Sequence, residues 1–244
     1  MTRRVQVIPA VDVLGGEAVR LEQGDYARVT LRAGDPLDLV ARLAASRPPL
    51  LHLVDLDGAR SGRSRPDLVA RAVDAAGPVP VQAAGGIRSL VDAEAALEAG
   101  AGRVVIGTAA FDGDALEGLA GELGERLVVA IDVRNGRAAV AGWARSTGLG
   151  AEEAAERCAE AGVARVLCTA VERDGTLAGP DLELLERVRV RAGAPVLAAG
   201  GIRSERDVDA LAGIGIEGAV VGRAVLDGTL QLSAEGRHAI RTAG

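Results

Sequence analysis

Two aspartates stand at matched places near the ends of two strand-like runs. Asp12 ends the run Pro-Ala-Val-Asp, and Asp132, 120 residues later, ends the run Val-Ala-Ile-Asp. Because side chains alternate along a strand, Asp12 shares a face with Ala10, and Asp132 shares one with Ala130. Two carboxylates in a partly dry site can take different pKa values, so that one acts as a base and the other as an acid. The pair predicts acid–base catalysis, and the alternative is a carboxylate that only pairs with an arginine such as Arg20.

Glycine turns recur in both halves of the sequence. The segment VQAAGGIRS at 81–89 returns as VLAAGGIRS at 196–204, and VVIGTA at 104–109 returns as AVVGRA at 219–224. Both repeats are offset by 115 residues. Glycine lets the backbone approach a ligand closely, and a helix N-terminus just after it attracts an anion. One Gly-Gly pair fits a plain strand-to-helix turn equally well, but two matched copies favour two phosphate-binding sites.

The glycine turns and the aspartates together define a substrate class. Two phosphate sites that flank two carboxylates suit a small molecule with a phosphate at each end and acid–base chemistry between them. The predicted phosphate-binding residues are Gly85, Gly86, Arg88, Gly107, Thr108, Gly200, Gly201, Gly222 and Arg223.

Other candidate residues also fall near strand ends. Thr169 ends a strand-like run, and the loop Asp-Gly-Thr at 174–176 follows it, which is typical either of a plain turn or of a functional loop. The single tryptophan, Trp143, fits either stacking on a flat heterocycle or packing within a loop. Asp55 is expected at the carboxyl end of its strand, like the other candidate residues. His52, on the opposite face of that strand, is expected to face the surrounding helices.

Composition narrows the function classes. The chain has 244 residues, a net charge of −6 and no lysine, so that all 28 basic residues are arginines. The acidic balance argues against nucleic acid, and the absence of lysine excludes catalysis through a lysine Schiff base. Two histidines are too few for a His-rich metal site, and Cys158 and Cys168 do not form a disulfide framework. Without a leader or an apolar stretch near the roughly 20 residues of a membrane span, we expect a cytoplasmic monomer that binds no membrane.

The order of predicted elements indicates the fold class. Strand-like runs are predicted near 5–11, 50–56, 79–83, 103–106, 127–132, 165–170, 195–199 and 217–221. Segments of helical period alternate with them near 36–46, 66–76, 90–99, 113–123, 151–161, 181–192, 205–213 and 231–241. Predicted N-caps are Ser89, Asp112, Asp181 and Ser204.

Eight strand–helix units in one chain predict an α/β fold, a closed parallel (βα)8 TIM barrel. The internal repeat predicts two homologous half-barrels, about 1–124 and 125–244, within a single domain that spans 1–244. Active sites in such barrels lie at the carboxyl ends of the strands, where the candidate residues fall. The Gly-rich polar segments 15–32 and 135–150 are predicted to be lid loops over that end.

Over essentially its whole length the sequence resembles the phosphoribosylformimino-aminoimidazole carboxamide ribotide isomerases of histidine biosynthesis. The resemblance rests on several segments taken together: IPAVD at 8–12, AVRLEQG at 18–24, HLVDLD at 52–57, AGGIR at 84–88, DGT at 174–176 and AGGI at 199–202. It implies an isomerase that carries out the Amadori rearrangement of an aminoaldose with two phosphoribosyl units, without a cofactor or a metal.

The resemblance also implies roles for individual residues. Asp12 matches the general base that takes the C2 proton of the opened sugar, and Thr169 matches the residue whose hydroxyl supports the enolamine. Asp132 and Asp174 both match candidates for the acid that opens the sugar ring, and the sequence does not choose between them. Arg20 and Trp143 complete the predicted substrate contacts, together with the glycine turns.

Three other functions use the same scaffold. The cyclase of the same pathway carries a lysine soon after its first aspartate, and this chain has none. The bifunctional isomerase that also serves tryptophan biosynthesis typically has an arginine where this chain has Ala141 and a serine where it has Ala84, while Gln82 matches the single-substrate enzyme. A non-catalytic sensor of phosphorylated ligands would keep the glycine turns but could dispense with Asp12 and Asp132.

Overall fold

A computed structural model describes residues 5–140 and 145–232, with side chains for 5–138 and 148–232. Trp143, Ala141 and His238 lie outside the described residues, as does almost all of the predicted helix 231–241. Within the described part of the chain, no helix has the length and apolar character that crossing a membrane requires.

Eight parallel strands form a closed barrel. The strands of the described residues, numbered in chain order, are β1 (Gln6–Leu14), β2 (Glu17–Glu22), β3 (Asp25–Arg32), β4 (Leu51–Asp55), β5 (Val81–Ala84), β6 (Arg103–Ile106), β7 (Leu127–Arg134), β8 (Arg137–Val140), β9 (Arg145–Gly150), β10 (Val166–Ala170), β11 (Val196–Ala199) and β12 (Gly218–Val221). The barrel follows the order β1-β4-β5-β6-β7-β10-β11-β12, and β12 pairs with β1 to close it. This order confirms the predicted TIM barrel.

Helices connect the barrel strands on the outside. They are α1 (Pro36–Ala44), α2 (Leu56–Ser61), α3 (Pro66–Ala76), α4 (Leu90–Glu98), α5 (Ala115–Leu123), α6 (Ala151–Glu160), α7 (Leu182–Ala192), α8 (Glu205–Gly213) and α9 (Arg223–Leu226). Short 3-10 turns cover Thr108–Phe111, Gly124–Arg126 and Val171–Arg173. The helices bury one face of Leu, Val and Ala against the outer surface of the strands, where most of the core lies.

The two halves of the barrel repeat the same local devices. β1 continues into the antiparallel hairpin β2–β3, and β7 continues in the same way into β8–β9. At the third strand of each half, Ser89 caps α4 by accepting from the Asp92 amide, and Ser204 caps α8 by accepting from the Asp207 amide. The boundary between half-barrels at 124 and 125 stays a prediction.

The two predicted lid segments contain strands. The segment 15–32 forms the hairpin β2–β3, which pairs with β1 and buries Ala18 and Val19, and the segment 135–150 contains β8 and β9. That they act as lids stays a prediction, whereas the predicted N-cap at Asp112 is wrong. Asp112 does not begin a helix, since a 3-10 turn occupies 108–111 and α5 begins only after Asp114. Asp181, in contrast, caps α7 as predicted, by accepting from the Leu184 amide at 3.0 Å.

The two sides of β4 are the reverse of those that the sequence suggested. His52 pairs in register with Ala10 and faces the barrel interior, where aliphatic side chains such as Leu167 and Leu197 surround the axis. Asp55 therefore lies on the helix-facing side. There its carboxylate accepts from the Gly58 amide at 2.8 Å and from Arg65 Nε at 2.6 Å, so that it caps α2 rather than serving the barrel mouth.

Candidate active site

Two adjoining cavities open at the carboxyl ends of the barrel strands. Their volumes are about 900 Å³ and about 150 Å³. Seven residues line both of them, namely Leu21, Gly24, His52, Val54, Leu56, Leu167 and Thr169. The two cavities therefore form one elongated site across the mouth.

The structure brings the predicted site residues together around these two cavities. The larger cavity is lined by Gly85, Gly86, Arg88, Gly107, Thr108, Asp132 and Thr169. The smaller cavity is lined by Asp12, Arg20, Thr169, Asp174, Gly200, Gly201, Gly222 and Arg223. One pair of glycine turns thus lies in each cavity together with at least one of the predicted aspartates, and Thr169 lines both cavities. Trp143 is outside the described residues, so its predicted contact with the substrate stays a prediction.

Asp12 is held in an ion pair with a buried arginine. Arg20 lies on β2, directly beside β1, and its Nη1 donates to Asp12 Oδ2 at 2.5 Å. The Arg20 side chain also donates to the Ala10 carbonyl, and the residue is only 5% exposed. Its Nε has no hydrogen-bond partner among the described residues. The hairpin that follows β1 therefore brings a fixed positive charge to the carboxylate.

Asp174 is in a different electrostatic environment. It follows the 3-10 turn Val171–Arg173 after β10, and it lines the same small cavity as Asp12. Burial, with a smaller contribution from the negative charges of Asp12 and Asp132, raises the pKa of Asp174 to about 7, although Arg20 partly offsets these effects. A carboxyl group with such a pKa is largely protonated just below neutral pH, which is the state that an acid catalyst needs.

Thr169 and Asp132 lie side by side on neighbouring barrel strands. β10 pairs with β7 so that Thr169 is in register with Asp132, and both side chains line the larger cavity. Thr169 is buried but lines the smaller cavity too. Its hydroxyl is therefore placed between the region of Asp132 and the region of Asp12 and Asp174.

The double glycines are required by contacts between neighbouring strand ends. Gly85 has φ +101° and Gly200 has φ +94°, a region that L side chains rarely adopt. A Cβ on Gly85 would overlap the carbonyl oxygen of Asp55, and one on Gly200 would lie 2.5 Å from the carbonyl oxygen of Ala170. The protein backbone, and not a ligand alone, thus excludes side chains here. That these turns also bind phosphate stays a prediction.

Gly107 and Gly222, which occupy matching positions in the two halves, have different surroundings. At Gly107 a Cβ would meet no atom within 4 Å, so this position borders open space in the larger cavity. At Gly222 a Cβ would lie 2.6 Å from Arg20 Cζ, so the buried guanidinium requires glycine there. The two halves are therefore not equivalent at this position. The guanidinium that pairs with Asp12 packs against Gly222, whereas Gly107 borders open space.

The two arginines predicted to bind phosphate contact protein groups in the structure. Arg88 is exposed and its Nη2 donates to the Ala59 carbonyl at 3.3 Å. Arg223 Nη1 donates to the Gly175 carbonyl at 2.7 Å, and its Nε pairs with Asp227 at 3.2 Å. Both line the cavities, so phosphate binding through them would require these contacts to be shared or exchanged.

Hydrogen bonds hold the hairpin β2–β3 across the mouth of the barrel. Gln23 donates from its backbone amide to the Asp174 carbonyl at 3.1 Å and from its side chain to the Glu172 carbonyl at 2.9 Å. Arg134, at the end of β7, donates to the Gln23 carbonyl at 3.0 Å. The hairpin thus joins the ends of β7 and β10 and fixes the loop that carries Asp174.

Comparison with known proteins identifies the family to which the chain belongs. A family model described as histidine biosynthesis protein matches residues 6–231, which cover all twelve strands. The chain belongs to the histidine biosynthesis protein family.

Similar members of the family have one function in their names. The chain is 44% identical to the 1-(5-phosphoribosyl)-5-((5-phosphoribosylamino)methylideneamino)imidazole-4-carboxamide isomerase of Roseiflexus sp. strain RS-1, over 94% of this chain and 97% of that protein. Isomerases of the same name from Synechococcus sp. strain RCC307 and Sorangium cellulosum strain So ce56 are 45% and 47% identical. The matches cover 94% of this chain in both cases, and 91% and 97% of the respective relatives.

Sequence reasoning missed several residues of this family member's site. His52 and Gln82 face the barrel interior, and Tyr26 of β3 lines the larger cavity, where its hydroxyl donates to the Leu56 carbonyl at 3.1 Å. The signal for His52 was its spacing within β4, which is ambiguous because both neighbours, Leu51 and Leu53, are apolar.

Among the described residues, no group of three or more His, Cys, Asp or Glu could hold a metal ion. The expected absence of a cofactor stays a prediction.

The backbone contacts of Gly85 predict a loss of stability on substitution that does not depend on a bound ligand. Gly85→Ala should lower the free energy of unfolding by at least about 2 kcal/mol, because the methyl group meets backbone and φ is positive. Gly118→Ala is the matched control, since Gly118 lies within α5 with no atom within 4 Å of a Cβ, and it should stabilise by about 0.5–1 kcal/mol. Urea unfolding measures both, and equal effects would contradict the packing role.

Proposed function

We propose that this protein is an aldose–ketose isomerase that converts 1-(5-phosphoribosyl)-5-((5-phosphoribosylamino)methylideneamino)imidazole-4-carboxamide to its aminoketose by an Amadori rearrangement. Relatives of that name, 44–47% identical over nearly the whole chain, support this substrate. The observation that carries the proposal is the placement of Asp12 and Asp174 in one small cavity beside one pair of glycine turns, with the second pair in the adjoining cavity. A substrate with a phosphate at each end fits this arrangement.

The first chemical step is opening of the sugar ring. Asp174, whose pKa burial raises to about 7, carries the proton that the ring oxygen takes when its bond to C1 breaks. The lone pair of the substrate's own amino nitrogen forms the imine at C1, so the enzyme needs no lysine. Asp132 lines the larger cavity and is the alternative acid. We favour Asp174 because its environment holds the proton near neutral pH.

The second step moves a proton from C2 to C1. Asp12 accepts the C2 proton as a general base, and the electron pair of that C–H bond moves to give the enolamine. Arg20, ion-paired to Asp12 at 2.5 Å, orients the carboxylate. Thr169 lies between the two cavities and supplies a hydroxyl to the enolamine. Protonation at C1 and loss of the hydroxyl proton at C2 then give the aminoketose, with no net gain or loss of atoms.

Asp12→Asn tests the proposed base against the non-catalytic alternative. An isomerase should lose about 10²- to 10⁴-fold in kcat, because the amide cannot accept the proton, while substrate affinity changes little. Asp38→Asn is the control, since Asp38 is an exposed residue of α1. Turnover is followed with purified protein, and affinity by calorimetry on the inactive variant. Wild-type protein that binds the substrate without converting it would make a phosphate-ligand sensor the better function.

The pH dependence tests the choice of acid. Since Asp174 must be protonated and its pKa is about 7, kcat/KM should fall as the pH rises through about 7. Asp174→Asn should lower kcat and remove this alkaline limb, whereas Asp132→Asn should keep the limb whatever its rate. The measurement is a pH–rate profile of the wild type and both variants. A limb that persists in Asp174→Asn and disappears in Asp132→Asn would assign the acid to Asp132.

A further inference from the structure

A buried polar pair lies in the barrel interior directly below the mouth. His52 of β4 and Gln82 of β5 are neighbours in register, and they are 5% and 0% exposed. The inward-facing side chains around the barrel axis are mostly aliphatic, as in Ile8, Val128 and Leu197. Two polar side chains in such a place need a reason, because burying polar groups is unfavourable unless they are well bonded.

The orientation of the Gln82 amide points to one tautomer of His52. Gln82 Nε2 lies 2.9 Å from His52 Nδ1. In this orientation of the Gln82 amide its nitrogen donates, so Nδ1 accepts and the single proton of the neutral ring is on Nε2. Burial lowers the pKa of His52 to about 4, and the nearby charges of Asp12 and Arg20 act in opposite directions. At neutral pH the ring is therefore an uncharged donor.

His52 borders both cavities, and the proposed function places the substrate's reacting carbons between them. It is one of the residues that line both cavities, together with Thr169. With Nδ1 bonded to Gln82, the Nε2–H edge is the one left for a ligand. A neutral donor suits a sugar oxygen on which negative charge develops, and it does not compete with Asp174 as a proton source.

The side chain of Gln82 lacks one of the hydrogen bonds that a buried residue with a purely structural role would make. Its Oε1 is buried and has no hydrogen-bond partner in the described part of the chain. A buried acceptor without a partner costs stability, and an apolar side chain of similar length would avoid that cost. The contact with His52 is the one hydrogen bond of the Gln82 side chain that the structure gives.

We propose that Gln82 is a positioning residue that holds His52 as the Nε2–H tautomer, so that His52 donates a hydrogen bond to an oxygen of the opened sugar between the two phosphates. The sugar contact rests on the proposed function, whereas the tautomer does not. The proposal assigns to this reaction two residues that act together, one touching the substrate and one acting through the other.

Nitrogen NMR of the histidine rings tests the tautomer in the absence of substrate. The chain has two histidines, so a His238→Gln variant assigns the signals of His52. We expect a proton-bearing Nε2 and an unprotonated Nδ1 in the wild type. Gln82→Glu should move the proton to Nδ1, because a carboxylate only accepts, and it should raise the pKa of His52. Gln82→Met, of similar length without a hydrogen bond, should give a mixture of tautomers. A wild-type ring protonated at Nδ1 would overturn the proposal.

Kinetics and stability separate positioning from a structural role. We expect Gln82→Met to lower kcat about tenfold, as for other residues that only orient a ligand group, with an unchanged or higher Tm. His52→Leu should lower kcat by about 10²-fold, as when a donor to a developing charge is removed. Unchanged kcat in Gln82→Met, or a lower Tm as its only effect, would also overturn the proposal. Wild-type protein with the expected tautomer but no turnover would contradict the proposed function and not the tautomer.

Discussion

Closure of the parallel barrel is the constraint on which the site depends. Because all eight barrel strands run in the same direction and β12 returns to pair with β1, every carboxyl end lies at one mouth. β1 and β7 are four strands apart around the ring in either direction, so Asp12 and Asp132 approach the mouth from opposite sides. No loop has to be long to bring the two halves of the site together. The hairpin β2–β3 then spans the mouth and adds Arg20.

Within this mouth, the carboxylates have different electrostatic surroundings. Asp12 has the buried guanidinium of Arg20 at 2.5 Å. Asp174 is in the same cavity, but burial and the charges of Asp12 and Asp132 raise its pKa to about 7. The same small cavity thus holds a carboxylate paired with a buried arginine and a carboxyl that keeps its proton to higher pH, which is the combination that the proposed acid–base steps use. His52, kept neutral by burial, adds a donor that does not disturb this balance.

The sequence predicted the parts of the fold that periodicity controls, and it failed where both faces of a strand are buried. The repeat of the glycine turns and the strand–helix alternation led to the barrel and to the residues around its mouth. The orientation of His52 and Asp55 was wrong because a parallel strand is apolar on both sides, so its pattern does not say which face points inward. The need for glycine at Gly85 and Gly200 has a cause that the sequence did not show, since the clashing atoms belong to distant residues. The sequence matched Gln82 to the single-substrate isomerase, but it did not show the contact of Gln82 with His52, because the two residues lie on different strands.

The central claim is that this barrel isomerises a bis-phosphorylated aminoaldose by acid–base chemistry. The most direct measurement offers purified protein the histidine-pathway aminoaldose in one assay and phosphoribosylanthranilate in another. We expect turnover of the aminoaldose alone, without added metal or cofactor. Turnover of both substrates would add the second activity of the bifunctional isomerase. Absence of turnover of the aminoaldose by folded protein would show that this barrel is not the proposed isomerase.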